Sequence, residues 1–200
     1  MRGFTLVELL ISMAIFTSVI TIATGALFSA QTINSRLEQT QIILDGVNLA
    51  TEVMVRDIRY GSEFRCDTVI PTAALPTTRA SCEYDNGGTV IIFKPTLTLP
   101  ASSDPQLDRI SYYLSEGVVY KDEYREGNIN NKVTYQITPS DVDIETLTFY
   151  IAGAESTTDT NFIQPLVTIV LSGVTVPQRT SVEPVVFKIQ TSVSARPTDI

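Results

Sequence analysis

The pattern of hydrophobic positions changes twice along the 200-residue chain. Residues 4–28 form an apolar run, and residues 29–61 then place apolar side chains three, four or seven positions apart. From Thr89 onward, apolar and polar residues alternate. Spacings of three and four are typical of one helix face, whereas alternation is typical of strands. The pattern therefore predicts an α+β fold, in which one long N-terminal helix precedes an antiparallel sheet.

The predicted helix runs for roughly 55 residues, since no proline precedes Pro71. Residues 4–28 would form a helix about 37 Å long, which is enough to cross a bilayer. Residues 29–61 are amphipathic, and we expect their apolar stripe to pack on the following domain, with a partner helix as the alternative. Gly61 is the expected end of the helix. The stripe consists of Ile33, Leu37, Leu44, Val47, Met54 and Ile58.

Five or six strand-length segments follow the helix, within a β-rich domain that we place at residues 62–200. One pair reads as a hairpin with Glu116 and Gly117 in its turn. A later segment places Leu147, Phe149 and Ile151 on one face and threonines on the other. We expect the strands to form an antiparallel sheet laid over the amphipathic half of the helix.

Charge and composition exclude several functions. The chain has 14 basic and 22 acidic residues, and this balance disfavours direct binding of nucleic acids. Histidine is absent, which removes the usual general base and the usual metal ligand. Acidic turns at 85–88 and at Asp141 and Asp143 could offer oxygens to Ca²⁺, but ordinary turn chemistry explains them better. We expect no cofactor, no metal and no catalytic residue.

Glu8 is the only ionisable residue between Phe4 and Phe28. A carboxylate inside a membrane span is costly and usually marks function, although Glu8 could instead snorkel to the interface. Arg2 precedes the span, so we expect the N-terminus in the cytoplasm and the chain beyond about Ala30 outside. The length of the run argues against a cleaved secretory signal, for which the sequence FSAQ near Ala30 would be the cleavage site.

The stretch RGFTLVELL contains the end of a short basic leader, whose last residue is Gly3. Phe4 follows this leader, and Glu8 lies four residues later at the start of a long apolar helix. This stretch resembles the prepilin cleavage and methylation motif of the type IV pilin superfamily, which Gly3 and Glu8 match position for position. The resemblance implies that a prepilin peptidase cuts between Gly3 and Phe4, which removes the leader at residues 1–3. It also implies N-methylation of Phe4.

The same resemblance implies a partner for Glu8. Cleavage exposes the α-amine of Phe4, whose reference pKa is about 8. In the family, this amine is understood to pair with the glutamate of a neighbouring subunit. Inside an apolar helix bundle, a mismatched subunit would leave a charge unpaired, at a cost of several kcal/mol. We therefore expect the Phe4 and Glu8 pair to set the register of subunits during assembly.

Cys66 and Cys82 bracket a stretch rich in proline and threonine. Outside the cytoplasm, two cysteines most simply form a disulfide, which here would close a loop of about 16 residues and stabilise the fold by roughly 3 kcal/mol. Unpaired thiols are the alternative.

Several segments of the C-terminal domain, at residues 50–64, 110–122, 142–151 and 186–197, loosely resemble the larger minor pilins and J-type minor pseudopilins. The resemblance implies a structural subunit, not an enzyme, that primes or caps a type IV pilus or a type II secretion-like filament. Its implied partners are the prepilin peptidase and methyltransferase, other pilin or pseudopilin subunits and the inner-membrane assembly platform. It would reside in the inner membrane and then in the filament. The alternatives are an adhesin or substrate-binding subunit that uses the Cys66 to Cys82 loop, and a plain single-span membrane protein.

Overall fold

The computed structural model describes residues 5–72, 75–82, 87–154, 164–176 and 183–196, without the side chains of residues 32, 35, 36, 39 and 42–44. Helix α1 (Leu6–Ile42) continues through a π-helical segment (Ile43–Val47) into helix α2 (Asn48–Arg59). The three segments follow one another without a gap, which confirms the prediction of one long N-terminal helix.

The described residues after the helix contain eight strands. Six of them match the predicted segments, whereas the first and fifth were not predicted. Both of these lie at an edge of their sheet and show no regular alternation of buried and exposed side chains. The strands are β1 (Ser62–Asp67), β2 (Val90–Lys94), β3 (Arg109–Ser115), β4 (Val118–Tyr124), β5 (Lys132–Gln136), β6 (Val142–Ala152), β7 (Leu166–Thr175) and β8 (Val186–Ser194).

The strands form two antiparallel sheets, with orders β1-β2-β3-β4-β5 and β6-β7-β8. The prediction of a single sheet is therefore wrong, although the α+β class with antiparallel strands is confirmed. Strand β6 does not pair with β5 but packs across β1, β2, β3 and β4. This arrangement buries an apolar face of each sheet against the other. Alternation in the sequence shows which residues share a face, but it does not show which strands exchange hydrogen bonds.

The main core lies between the two sheets and α2. Met54 and Ile58 of α2, Phe93 and Tyr112 of the larger sheet and Phe149 of the smaller sheet are all fully buried in it. The ring of Phe93 stacks on that of Tyr112, with centroids 6.2 Å apart. As predicted, Leu147, Phe149 and Ile151 share the buried face of β6.

A polar network fixes α2 to the larger sheet. The Asp57 carboxylate accepts a hydrogen bond from the Tyr112 hydroxyl at 2.6 Å and pairs with Lys121 at 2.8 Å, while Lys121 also pairs with Glu123 at 2.8 Å. Burial raises the pKa of Tyr112, and the Asp57 carboxylate raises it further. Burial by itself would lower the pKa of Lys121, but Asp57 and Glu123 outweigh it and raise that pKa. The Tyr112 hydroxyl, the Lys121 ammonium and the two carboxylates therefore supply one another's hydrogen-bonding and charge partners where the helix meets the sheet.

The predicted apolar stripe packs on the domain only in part. Val47, Met54 and Ile58 are buried, but Ile33 and Leu37 are 56% and 55% exposed. The reason is that the domain first meets the helix near Gly46, where an added Cβ would lie 2.6 Å from Cγ of Pro139. The helix before Gly46 extends beyond the domain. The remaining stripe residue, Leu44, has a side chain outside the described part of the structure.

Gly61 follows the helix end, but not for the expected reason. Helix α2 ends at Arg59, and the Gly61 N–H donates to the Ile58 carbonyl at 3.0 Å. Gly61 is not among the residues with a positive φ. A Cβ at this position would instead lie 2.5 Å from Cδ2 of Phe93. The glycine is therefore explained by close packing and not by left-handed backbone.

We predict that Met54→Ala lowers the free energy of unfolding by about 2 to 5 kcal/mol, because it leaves a cavity where α2 meets both sheets. Chemical denaturation of the full chain in detergent measures the change. Leu49→Ala is the matched control on the same helix, since Leu49 is 61% exposed, and it should change the value by less than about 0.5 kcal/mol. Equal losses in the two variants would contradict the described packing of α2.

Candidate functional site

The first part of helix α1 is apolar, and its residues Leu6–Gln31 are all exposed in the described structure. Residues Leu6–Gln31 have a mean hydropathy of 2.2 and are long and apolar enough to cross a membrane, and none of these residues is buried. Such a helix needs an apolar environment from outside the chain, either lipid or other apolar helices.

Glu8 lies in the first turn of this helix. The Thr5 carbonyl accepts hydrogen bonds from the N–H groups of Glu8 and Leu9, at 3.1 and 3.3 Å, and the Thr5 hydroxyl lies 3.4 Å from the Glu8 nitrogen. Thr5 thus acts as the N-cap, and Glu8 occupies the third helical position. The pattern T-x-x-E is that of a capping box. A carboxylate at this position also interacts favourably with the positive end of the helix dipole. Sequence reasoning missed this second role of Glu8, although the spacing of Thr5 and Glu8 could have revealed it.

Glu8 is exposed, and no other ionisable residue lies between Leu6 and Gln31. The described helix therefore offers no positive charge to neutralise it. Gly3 and Phe4, the predicted cleavage and methylation residues, lie outside the described residues. Their roles and the pairing of Phe4 with Glu8 stay predictions.

The hydroxyl groups of α1 do not make its surface polar. Ser12, Thr17, Ser18, Thr21 and Thr24 each donate to a backbone carbonyl three or four residues earlier, at 2.7 to 3.1 Å. Bonds of this kind satisfy a hydroxyl within its own helix. The part of the helix from Leu6 to Phe28 can therefore enter an apolar environment with the Glu8 carboxylate as its only ionisable group.

The second candidate site is the loop between Cys66 and Cys82, whose sulfurs form a disulfide with a Cα–Cα distance of 6.0 Å. The loop runs beside the free edge of β1, where the Cys66 N–H donates to the Ala80 carbonyl at 3.3 Å and the Ala80 N–H donates to Phe64 at 3.2 Å. The Cys82 N–H donates to Ile151 of the smaller sheet at 3.0 Å. The loop therefore closes the edge of the larger sheet and ties it to β6.

The loop also covers the outer face of the larger sheet. Leu75 is buried, and it joins Val90, Ile92, Tyr113 and Tyr124 in a second apolar cluster. This cover explains why β2 reads as a continuous apolar run, since its residues Val90–Phe93 are buried on both faces. Burial raises the pKa of Tyr113 to about 12, and the Asp122 carboxylate contributes to the shift. Sequence reasoning found the disulfide but not this covering role.

The acidic turns do not form a metal site within the described residues, where no three His, Cys, Asp or Glu side chains converge. Asp85 lies outside the described residues. Asp141 and Asp143 flank the start of β6, where the Val176 N–H donates to the Asp141 carbonyl at 2.8 Å.

A family profile described as the prokaryotic N-terminal methylation motif matches residues 1–24. Comparisons with curated proteins and with solved structures give no significant match. The matched motif and the apolar helix together support a type IV pilin-like protein. The long helix, the short helix and the antiparallel sheets are consistent with a pilin-like fold. The motif implies processing by a peptidase and assembly with other pilin subunits.

We predict that the double variant Cys66→Ser and Cys82→Ser lowers the free energy of unfolding by about 3 kcal/mol, because the open loop has more conformational freedom in the unfolded chain. Denaturation of the oxidised full chain, with and without reductant, measures this loss. Reductant should destabilise the wild type to the level of the variant and leave the variant unchanged. A wild type that is insensitive to complete reduction would contradict the role given to the disulfide.

Proposed function

We propose that the chain is a minor pilin or minor pseudopilin that primes or caps a type IV pilus or a type II secretion-like filament. The observation that carries the proposal is the methylation motif at residues 1–24, followed by an apolar helix that the rest of the chain leaves exposed from Leu6 to Gln31. A bilayer covers such a helix before assembly, and neighbouring helices cover it afterwards. The motif marks a structural subunit, and we assign the chain no catalytic step.

In this proposal the chain starts in the inner membrane, with its N-terminus in the cytoplasm. Cleavage after Gly3 creates the amine of Phe4 close to the first helical turn. The carboxylate of Glu8, which lies in that turn and has no cationic neighbour on the helix, is the acceptor for the amine of an adjacent subunit. A buried carboxylate that loses its only cation costs several kcal/mol, so the pair selects the correct axial position.

Glu8 now has two candidate roles, which two substitutions separate. Glu8→Gln keeps a residue that can complete the capping box but removes the charge, whereas Glu8→Ala removes both. We predict that both variants are cleaved after Gly3 but enter filaments at least roughly tenfold less than the wild type, since loss of a buried ion-pair partner typically exceeds the 1.4 kcal/mol of a tenfold change. Mass spectrometry of the N-terminus and immunoblots of sheared filaments measure the two steps.

Glu52→Ala is the matched control, because it removes an exposed carboxylate from α2 that forms a surface pair with Arg56. It should be cleaved and assembled normally. Normal assembly of Glu8→Gln together with poor assembly of Glu8→Ala would assign Glu8 to helix capping and contradict the ion pair. An intact Met1 in cells that possess the peptidase would contradict the pilin proposal as a whole.

The alternative of an adhesin or substrate-binding subunit also depends on the Cys66 to Cys82 loop. Deleting this loop would uncover the outer face of the larger sheet, so a surface variant is the better probe. Val69 is exposed on the loop, and we predict that Val69→Asp leaves filament formation and surface attachment unchanged, as expected of an assembly subunit. Loss of attachment with normal filament numbers would favour the binding function. Immunoblots and an attachment assay on the same cells distinguish the outcomes.

A further inference from the structure

The long helix contains one π-helical segment, Ile43–Val47, which we call the π turn. It lies between α1 and α2, at the point where the helix first meets the domain. A π turn amounts to one extra residue inserted in an α-helix, and such turns are frequent at functional sites. Each residue of an α-helix adds about 100° of rotation and about 1.5 Å of length. The extra residue therefore changes which face of α1 is aligned with the buried face of α2.

The domain packs against the C-terminal end of the π turn. An added Cβ at Gly46 would lie 2.6 Å from Cγ of Pro139, and Val47 is fully buried. The Val47 carbonyl accepts a hydrogen bond from the Thr51 hydroxyl at 2.8 Å. Asp45, in contrast, is exposed. The segment can therefore hold one residue more than a regular turn without removing a buried side chain from the core.

One face of α1 is defined by the position of Glu8. Six apolar residues follow Glu8 at distances that are close to whole numbers of helical turns. They are Ile15, Val19, Ile22, Ala26, Ile33 and Leu37. All six are exposed, and together with Glu8 we call them the Glu8 face. This face continues in line with the carboxylate along about 44 Å of helix.

The buried face of α2 lies on a different side of the helix. It consists of Val47, Ala50, Thr51, Met54 and Ile58, which we call the packed face. Along an unbroken α-helix of the same length, the mean directions of the Glu8 face and the packed face would be about 60° apart. With the extra residue of the π turn, they are about 160° apart. The Glu8 face therefore lies almost opposite to the side on which the chain packs its own domain.

We propose that the π turn sets the angle between the Glu8 face and the domain, so that the Glu8 face is directed away from the domain. The inference rests on the proposed function, in which neighbouring helices cover α1 and the amine of an adjacent subunit pairs with Glu8. Two packed helices lie about 8 to 10 Å apart. A helix that followed the Glu8 face past Leu37 would meet the domain if the two faces were only about 60° apart. At about 160°, it passes the domain on the opposite side.

Deletion and insertion of a single residue should have unequal effects. Deletion of Asp45 removes the extra residue, so the segment can close as a regular α-helix and the angle stays near about 160°. Insertion of one alanine after Leu37 instead turns the Glu8 face by about 100° and moves it by about 1.5 Å. In filament-producing cells, both variants should be cleaved after Gly3. The deletion variant should enter filaments as the wild type does, and the insertion variant at least roughly tenfold less, since Glu8 then loses its cation.

A variant of unchanged length is the matched control. Insertion of alanine after Leu37 combined with deletion of Asn34, which is exposed, restores the angle and height of every residue before Asn34, including Glu8. This variant should enter filaments normally. Immunoblots of sheared filaments measure incorporation. Unchanged melting temperatures of the full chains in detergent show that the variants fold.

Distances within the full chain in detergent test the angle without any filament. One nitroxide label is placed at Lys188→Cys, on the outer face of the smaller sheet, and the other at Ile22→Cys or Leu27→Cys. The two helix positions lie about 140° apart around the axis, and a rotation of about 100° moves a side chain at the helix surface by about 8 Å. Double electron–electron resonance should give unchanged distances after deletion of Asp45. The insertion should change at least one of the two distances by several ångströms.

Three results would overturn the proposal. Equal loss of assembly in the deletion and insertion variants would do so, because deletion of Asp45 has then turned the Glu8 face as well. Normal assembly of the insertion variant would show that the angle has no role. Changed distances after deletion of Asp45 would show that the π turn holds no extra residue. A wild-type chain that is neither cleaved nor found in filaments overturns the proposed function instead, whereas the measured distances still decide whether the π turn sets the angle.

Discussion

The burial of one face of α2 holds the domain together. Val47, Met54 and Ile58 lie between two sheets that share no strand, so the helix supplies apolar surface to both. Asp57 on the same helix binds Tyr112 and Lys121 of the larger sheet, and the C-terminal end of β8 bonds to the helix end at Arg59. Before Gly46, none of the helix side chains that the structure describes is buried. One continuous helix therefore has a half that is packed and a half that depends on other molecules.

The disulfide loop meets a second requirement of the fold. The larger sheet is apolar on both faces, but α2 and the smaller sheet cover only the inner one. The loop from Cys66 to Cys82 passes around the edge of β1 and places Leu75 against the outer face. Its main role in the described structure is thus to cover a sheet, and any binding role would have to use the residues that remain on its surface, such as Val69.

Much of the fold could be predicted because some signals are local. The continuous helix follows from spacing and from the absence of proline before Pro71, and the β3–β4 turn follows from Glu116 and Gly117, both of which adopt positive φ. The separation into two sheets could not be predicted, because it depends on β6 packing across the larger sheet instead of pairing with β5. Strands β1 and β5 were not predicted because neither shows a regular alternation of buried and exposed side chains.

The candidate site shows the same division. The motif around Gly3, Phe4 and Glu8 could be recognised from the sequence because its residues lie close together in the chain. The capping pair of Thr5 and Glu8 is local in the same way. The exposure of Ile33 and Leu37 could not be predicted from the sequence. An amphipathic stripe shows which helix face is apolar, but it does not show where along the helix the packed domain begins. The bond between Arg196 and Arg59 joins two distant parts of the chain, so no local pattern in the sequence could predict it.

The bond between the Arg196 N–H and the Arg59 carbonyl has a consequence for how the chain is made. The first buried helix face and the strand that completes its cover are separated by more than a hundred residues of sequence. During synthesis, the apolar side chains of Met54 and Ile58 emerge early, but β8 emerges last. The core therefore cannot close until the chain has been made as far as β8, and until then this helix face is open to unwanted partners.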